Sequence, residues 1–256
     1  MARDVTTDDG MGINYDHSQN RHTLAGPQAA MPILFAGYRP SSLLDVGCGT
    51  GTWLKAAIDF GIGDVFGVDG VKTPADKLHV ASDKIQQLDL TGAWNLEKQY
   101  DVVFCLEVAE HLDMAFAPKL IDALVNHGDH VFFSAACPGQ PGQHHVNCQW
   151  PDYWQRLFNQ RGFVCDDAVR WQIWDIPEIE PWYRQNMFVA RRDAASSGQE
   201  PRIKAILHPE MVLACFTEKE QFDRHITQIE NGRMDVIWYL KTPALALSKK
   251  VKRHCP

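Results

Sequence analysis

Leu44-Asp45-Val46-Gly47-Cys48-Gly49-Thr50-Gly51-Thr52 runs a strand directly into three alternating glycines and then into a helix. Ser42 to Val46 is short and apolar. Gly47 to Gly51 lets the backbone bend sharply and approach a ligand that side chains would hold off. Thr52 to Phe60 then sets Trp53, Leu54, Ala57 and Ile58 on one helical face, stopped by Gly61. Val65 to Val68 reads as a second strand, and it ends on the carboxylate of Asp69. A glycine turn facing a strand-end acid is a nucleoside-binding arrangement, because the acid accepts hydrogen bonds from both ribose hydroxyls. The spacing is GxGxG, whereas the dinucleotide fingerprint GxGxxG would want a glycine or small residue at Thr52.

Outward from this centre the pattern repeats. Further strands are expected over Lys84 to Leu88, Val102 to Leu106, Val131 to Phe133, Phe163 to Val169 and Met187 to Ala190. Between them, Phe116, Leu120, Ile121, Leu124 and Val125 keep helical spacing up to Gly128. Pro151 opens a helix with Tyr153, Trp154, Leu157 and Phe158 on its apolar face, and Gly162 closes it. Leu24 to Tyr38 reads as a helix leading into the first strand. Strands alternating with helices predict an α/β, Rossmann-like fold: a doubly wound, mostly parallel, seven-stranded sheet with helices on both faces. The polar stretch from Arg192 to Arg202 reads as a linker.

Composition limits what such a fold can serve. With 45% apolar and 22% charged residues in 256, the chain can bury a sizeable core without metal or disulfide staples. No apolar run approaches the ~20 residues needed to cross a bilayer. The start MARDVTTDDGMG is acidic and polar where a signal peptide is basic and then apolar, so a cytoplasmic location is expected. The 7 cysteines are odd in number, scattered and without a CxxC pair, a pattern of thiols rather than of a disulfide framework or structural zinc. Twenty-five basic against 32 acidic residues leave a net charge of -7, which argues against a nucleic-acid partner. The single basic cluster, Lys249, Lys250, Lys252 and Arg253, reads as a solvated tail. A small-molecule partner remains, and nothing in the sequence sets an oligomeric state.

Over roughly residues 15 to 192 the chain resembles class I S-adenosylmethionine (SAM)-dependent methyltransferases, on the glycine turn and on the acid after the second strand. The resemblance implies SAM as cofactor, held by Asp45, Gly47, Gly49, Gly51 and Asp69, with Asp89 near the adenine, Leu90 packing beside it, and Leu106 at the cofactor end of the fourth strand. Tyr15 to Thr23 resembles the N-terminal segment that lids the cofactor in small-molecule members. The implied organisation is a lid segment and helix over 1–40, the methyltransferase domain over 41–192, and a linker with a C-terminal appendage over 193–256.

Methyl transfer from a sulfonium needs a nucleophile held in line and, for a hydroxyl, a group that takes up its proton. Two segments at strand ends offer such groups: Leu106 to Leu112 (LEVAEHL) and Cys137 to Asn147 (CPGQPGQHHVN). If the first turns helical at once, Glu107, Glu110 and His111 share one face. With His144 or His145 they form a ligand set for Mg²⁺ or Mn²⁺. This ExxEH with a later His resembles metal-dependent methyltransferases of terminal RNA 2′-hydroxyls and of ubiquinone precursors, although the spacing after the second His departs from the RNA enzymes. In a metal-free site, His144 or His145 is the general base, and in family members of that kind the acid and His111 pin the helix start and cofactor loop. Trp150, Tyr183 and Arg184 are candidates for the substrate wall, beside Asn186. The expected reaction is O-methylation of a small polar molecule, such as a sugar or a natural-product intermediate. N-methylation, RNA-end 2′-O-methylation and SAM binding without catalysis stand as the alternatives.

Overall fold

A computed structural model describes residues 15–17, 23–231, 233, 236–238 and 241. The basic cluster at Lys249 to Arg253 and residues 18–22 of the segment compared to a lid lie outside them. Helix α1 (Ala25–Leu34) precedes strand β1 (Ser42–Val46), helix α2 (Thr52–Phe60) and strand β2 (Asp64–Asp69). Strands β3 (Ile85–Gln87) and β4 (Val102–Leu106), helix α3 (Ala117–His127), strand β5 (His130–Ser134) and helix α4 (Pro151–Asn159) follow. Strand β6 (Phe163–Asp166), helices α5 (Ala168–Ile173) and α6 (Pro181–Asn186), strand β7 (Phe188–Arg192) and helix α7 (Pro209–Glu230) complete the order.

The seven strands form one sheet in the order β3-β2-β1-β4-β5-β7-β6. All pairs are parallel except those of β7, which runs antiparallel to β5 and β6. This is the Rossmann-like α/β fold. The direction of winding reverses between β1 and β4, and at such a reversal the loops after the two strands part and leave a crevice at their carboxyl ends. Alternation along each strand feeds two cores, one on each face. Leu44, Val46, Val103, Cys105 and Phe133 pack with α3 and α4 residues such as Leu120, Trp154 and Phe158. Leu43, Val102, Phe104 and Phe132 pack with Met31 of α1, Phe35 just after it, and Trp53 and Leu54 of α2. A sheet covered on both faces explains why its strands read as continuous apolar runs.

Several boundaries differ from the sequence reading. The first helix ends at Leu34 instead of Tyr38, and the third strand is the short Ile85–Gln87 instead of Lys84 to Leu88. The strand expected over Phe163 to Val169 stops at Asp166, whose carboxylate accepts the N–H of Ala168 at 2.6 Å and turns the chain into α5. Val169 is buried as a helical residue instead. The stretch read as a linker is docked. Glu200 Oε1 accepts from Gln155 Nε2 (3.0 Å), Asn159 Nδ2 (2.6 Å) and the Cys165 N–H (3.1 Å), and the Ser197 hydroxyl donates to the carbonyls of Asn159 and Phe163. The first compact unit accordingly runs through Met211, and a second begins at Val212. Among the described residues no helix is long and apolar enough to cross a membrane.

Candidate active site

A cleft of about 780 Å³ opens at the carboxyl ends of β1, β2 and β4, within the size range of small-molecule sites. Its first wall is the glycine turn. Gly47 has φ +79°, and a Cβ there would fall 2.3 Å from Val108 Cγ2, so the turn and the loop after β4 touch only because position 47 has no side chain. At Gly49, φ is +54°, and a Cβ would meet the His17 ring at 3.4 Å. The Gly49 N–H donates to Asp69 Oδ2 at 2.7 Å and the Val71 N–H to Oδ1 at 2.8 Å, which fixes the carboxylate at the end of β2. Asp45 lies deeper, with Oδ2 buried and without a hydrogen-bond partner. Burial, and then the charge of Asp69, push its carboxyl up to about 8. An orphaned acid beside a second acid calls for a cationic ligand.

Of the other residues expected around the cofactor, Leu90 and Leu106 line the cleft. Gly51 starts α2 in the left-handed conformation behind the lining. Asp89 is exposed and folds back on Thr91, accepting its N–H at 2.9 Å and its hydroxyl at 2.7 Å, so it caps a turn and does not line the cleft. One wall escaped the sequence reading: residues 70–74 with Lys77 and His79 form a rim, pinned where the Thr73 hydroxyl donates to the Gly49 carbonyl at 3.2 Å and the His79 N–H to the Thr50 carbonyl at 2.9 Å. The Gly70 and Pro74 pair directly after Asp69 was the available signal of a loop turning back on the glycine turn.

The acceptor side is built by the loop after β4 and the loop after β5. Glu107 adopts φ +56°, so the segment does not turn helical at once, and only Ala109–His111 form a single 3-10 turn. Glu107, Glu110 and His111 therefore do not share a helical face, although the Glu107 and Glu110 carboxyls still meet. Glu107 lines the cleft and accepts from Gln140 Nε2 (2.8 Å) and Asn186 Nδ2 (3.1 Å), while its own N–H donates to the Ser134 carbonyl and hydroxyl. Burial pushes it up to about 7 against the lowering effect of these donors. The Glu110 carboxyl stays against that of Glu107 and also joins His111 and His145, where one ligand atom from each lies within 4.8 Å of the others. Its carboxylate is fully buried, and neither oxygen has a partner within bonding geometry. Burial and then the charge of Glu107 raise it well above the carboxylate range, moderated by the nearby amides of Glu110 and Ala136.

The two imidazoles are held alike. His145 Nδ1 meets the Gln140 carbonyl at 3.0 Å and His111 Nδ1 the His144 carbonyl at 3.4 Å, so that a proton on each Nδ1 leaves Nε2 with its lone pair. Burial, then His145, lowers His111 to about 4, and burial lowers His145. Both are neutral at pH 7. His144 itself is exposed, has φ +49°, and contributes its carbonyl. Tyr183 lines the cleft and stands edge-on to Trp53 at 5.2 Å. Arg184, expected at the substrate, is buried away from the cleft lining: its guanidinium donates to the Trp174 carbonyl (3.2 Å) and to Glu210 (2.8 Å) and meets His208 Nε2 (3.3 Å). Trp150 caps the start of α4 at the surface and does not line the cleft either.

With the fold and site in place, comparison with known proteins is direct. The family described as methyltransferase domain matches residues 17–178. The sugar N-methyltransferase KedS8 from Streptoalloteichus sp ATCC 53650 superposes with a TM-score of 0.51 at 18% identity, over 67% of this chain and 88% of that one. The methyltransferase domain of bacterial CtHen1-C gives 0.50 at 16%, over 67% of this chain and 100% of that one. Magnesium protoporphyrin IX methyltransferase from Synechocystis PCC 6803, with S-adenosylhomocysteine (SAH) bound, gives 0.47 at 16%, over 66% and 84%. At such identities the likeness is one of fold. No curated protein matches the sequence.

Proposed function

Given that the chain belongs to the methyltransferase domain family and is a SAM-dependent methyltransferase, we propose that it methylates a hydroxyl of a small polar molecule, a sugar or a natural-product intermediate. When bound, SAM supplies an electrophilic methyl on its sulfonium. The glycine turn at Gly47 and Gly49, the oriented carboxylate of Asp69, the buried acid of Asp45 and the apolar Leu90 and Leu106 fit it: a close backbone approach, a ribose acceptor and a buried acid that a cationic ligand would ionise.

The observation that carries the acceptor reading is the convergence of Glu110, His111 and His145 at the part of the cleft wall that His111 lines. Two neutral imidazoles whose Nδ1 atoms are tied to carbonyls, and a buried carboxylate lacking a partner, have the donor chemistry and the outer support of a divalent-cation site. These residues would hold the ion, which supplies a Lewis acid that lowers the pKa of a hydroxyl. Two imidazoles with one carboxylate suit Mn²⁺ better than Mg²⁺. A second reading needs no ion: His111 at the cleft, backed by His145 at 5.1 Å between ring centroids, accepts the hydroxyl proton through its bare Nε2.

Methyl-labelled SAM and a panel of sugars and natural-product alcohols test the proposal. Label recovered in an ether, with SAH binding lost in Asp69→Ala, is the expected result. Label recovered on nitrogen refutes hydroxyl methylation and leaves the cofactor assignment standing.

A further inference from the structure

Residues 15–17 span the cleft in three consecutive positions, meeting its acceptor side at one end and its cofactor side at the other. The Tyr15 ring stands edge-on to His111 at 4.7 Å, on the acceptor side. The His17 ring sits over Gly49, with Nε2 3.4 Å from Asp69 Oδ1, on the cofactor side. Between them the peptide groups of Asp16 are gripped by one side chain: the Asp16 N–H donates to Gln143 Oε1 at 3.2 Å, and Gln143 Nε2 donates to the Asp16 carbonyl at 3.1 Å. A carboxamide that satisfies both the donor and the acceptor of one residue imitates the reciprocal pair of an antiparallel ladder. It does so across 127 positions of sequence. All three residues line the cleft, whereas Gln143 does not and acts from outside it.

We propose that Gln143 is a positioning residue, a latch that holds residues 15–17 across the mouth of the cleft and couples cofactor retention to the arrangement of the acceptor loop. This rests on the reading of the cleft as the SAM site. Tyr15 and Asp16 lie in neither helix nor strand, so ordering them costs conformational entropy and needs compensating bonds at this point in the chain. The pair at Asp16 supplies them. The same loop carries Gln140, which grips Glu107, and His145, which stands against His111. Whatever draws residues 15–17 onto the cofactor therefore draws the acceptor groups into register, and by linkage the acceptor loop returns the effect as tighter cofactor binding.

The experiment titrates SAH into the full-length parent, Gln143→Ala, Gln143→Glu, Asp16→Pro and the Gln143→Ala/Asp16→Pro double variant, and follows amide exchange at residues 15–17. Losing two partly exposed hydrogen bonds should weaken SAH about 5- to 30-fold in Gln143→Ala. Dissociation should be faster, exchange protection at residues 15–17 lost, and the thermal midpoint unmoved. Gln143→Glu keeps the acceptor for the Asp16 N–H and should fall between. The double variant should be no weaker than the worse single one, since Gln143→Ala removes both bonds and Asp16→Pro one of the same two. Unchanged SAH affinity with intact protection in Gln143→Ala, or additive losses in the double variant, overturns the latch. Failure of the parent to bind SAH brings down the cofactor reading and the latch together; affinity lost in Asp69→Ala but not in Gln143→Ala overturns the latch alone.

Discussion

Gly47→Ala should damage the protein through Val108, and the damage should be repairable there. The new Cβ would lie 2.3 Å and 2.8 Å from the two Cγ atoms of Val108. Holding alanine at φ +79° costs roughly 1–2 kcal/mol. Val108 is β-branched and stiff at χ1, so it cannot swing aside as a long side chain would, and the overlap adds about 1–3 kcal/mol. The single substitution should therefore cost about 2–5 kcal/mol. Val108→Ala alone removes both Cγ atoms from a site 7% exposed, for about 1–2 kcal/mol. In the double variant the closest remaining contact is to Val108 Cβ at 3.1 Å, which a small shift relieves, and only the backbone term should survive. The two changes should thus be non-additive by roughly 1–3 kcal/mol in the stabilising direction. Urea unfolding of the four proteins at constant m measures this. Costs that add within about 0.5 kcal/mol refute the reasoning, because they would show that Gly47 and Val108 do not meet.

Three further outcomes follow from the site and its frame. Asp45, held near 8 by burial and Asp69 against ~3.9 unfolded, binds a proton in the folded state that the unfolded chain has lost, so its contribution is full below about pH 4 and declines toward pH 8, by at most ~1.4 kcal/mol per pH unit. Asp45→Asn should flatten the stability profile over that window, and a variant profile parallel to the parent's would refute the assignment. Glu200→Ala leaves Gln155, Asn159 and the Cys165 N–H short of an acceptor and should cost ~1–3 kcal/mol in denaturant, whereas a loss under ~0.5 kcal/mol would show that residues 192–202 are a free linker. EDTA should abolish turnover and Mn²⁺ restore it, with Glu110→Gln behaving as the chelated parent; turnover indifferent to chelator, combined with a loss of ~100- to 10,000-fold in His145→Ala, would place proton transfer on the histidines alone.

The fold was legible because its determinants are local. The strand, glycine turn and helix at residues 42–60, the acid closing the second strand and the apolar runs of a sheet buried on both faces are period and punctuation, and they survive transfer into the structure with boundaries moved by a few residues. Asp166 shows why boundaries move: one carboxylate capping the Ala168 N–H ends a strand that the apolar pattern would have continued. On the cofactor side, Gly47, Gly49 and Asp69 were found from their positions along single elements and Asp45 from the family resemblance, and all four line the cleft.

The acceptor side was not legible in the same way. Spacing placed Glu107 with Glu110 and His111 on one helical face, but the backbone at Glu107 turns left-handed, since its N–H and carboxylate are engaged by Ser134 and Gln140 from β5 and the loop after it and by Asn186 from α6. Arg184, read as a substrate contact, is drawn inward by Trp174, His208 and Glu210. Gln143 shows nothing in sequence, and its role exists only because Asp16 is brought beside it. By itself the sequence determined the winding of the sheet and the half of the cleft that one strand and its turn can build, because hydrophobic period and glycine geometry act between near neighbours. Only the tertiary structure decided which polar groups face the acceptor, since a buried carboxylate or guanidinium turns toward whatever donors and acceptors the folded chain delivers to it.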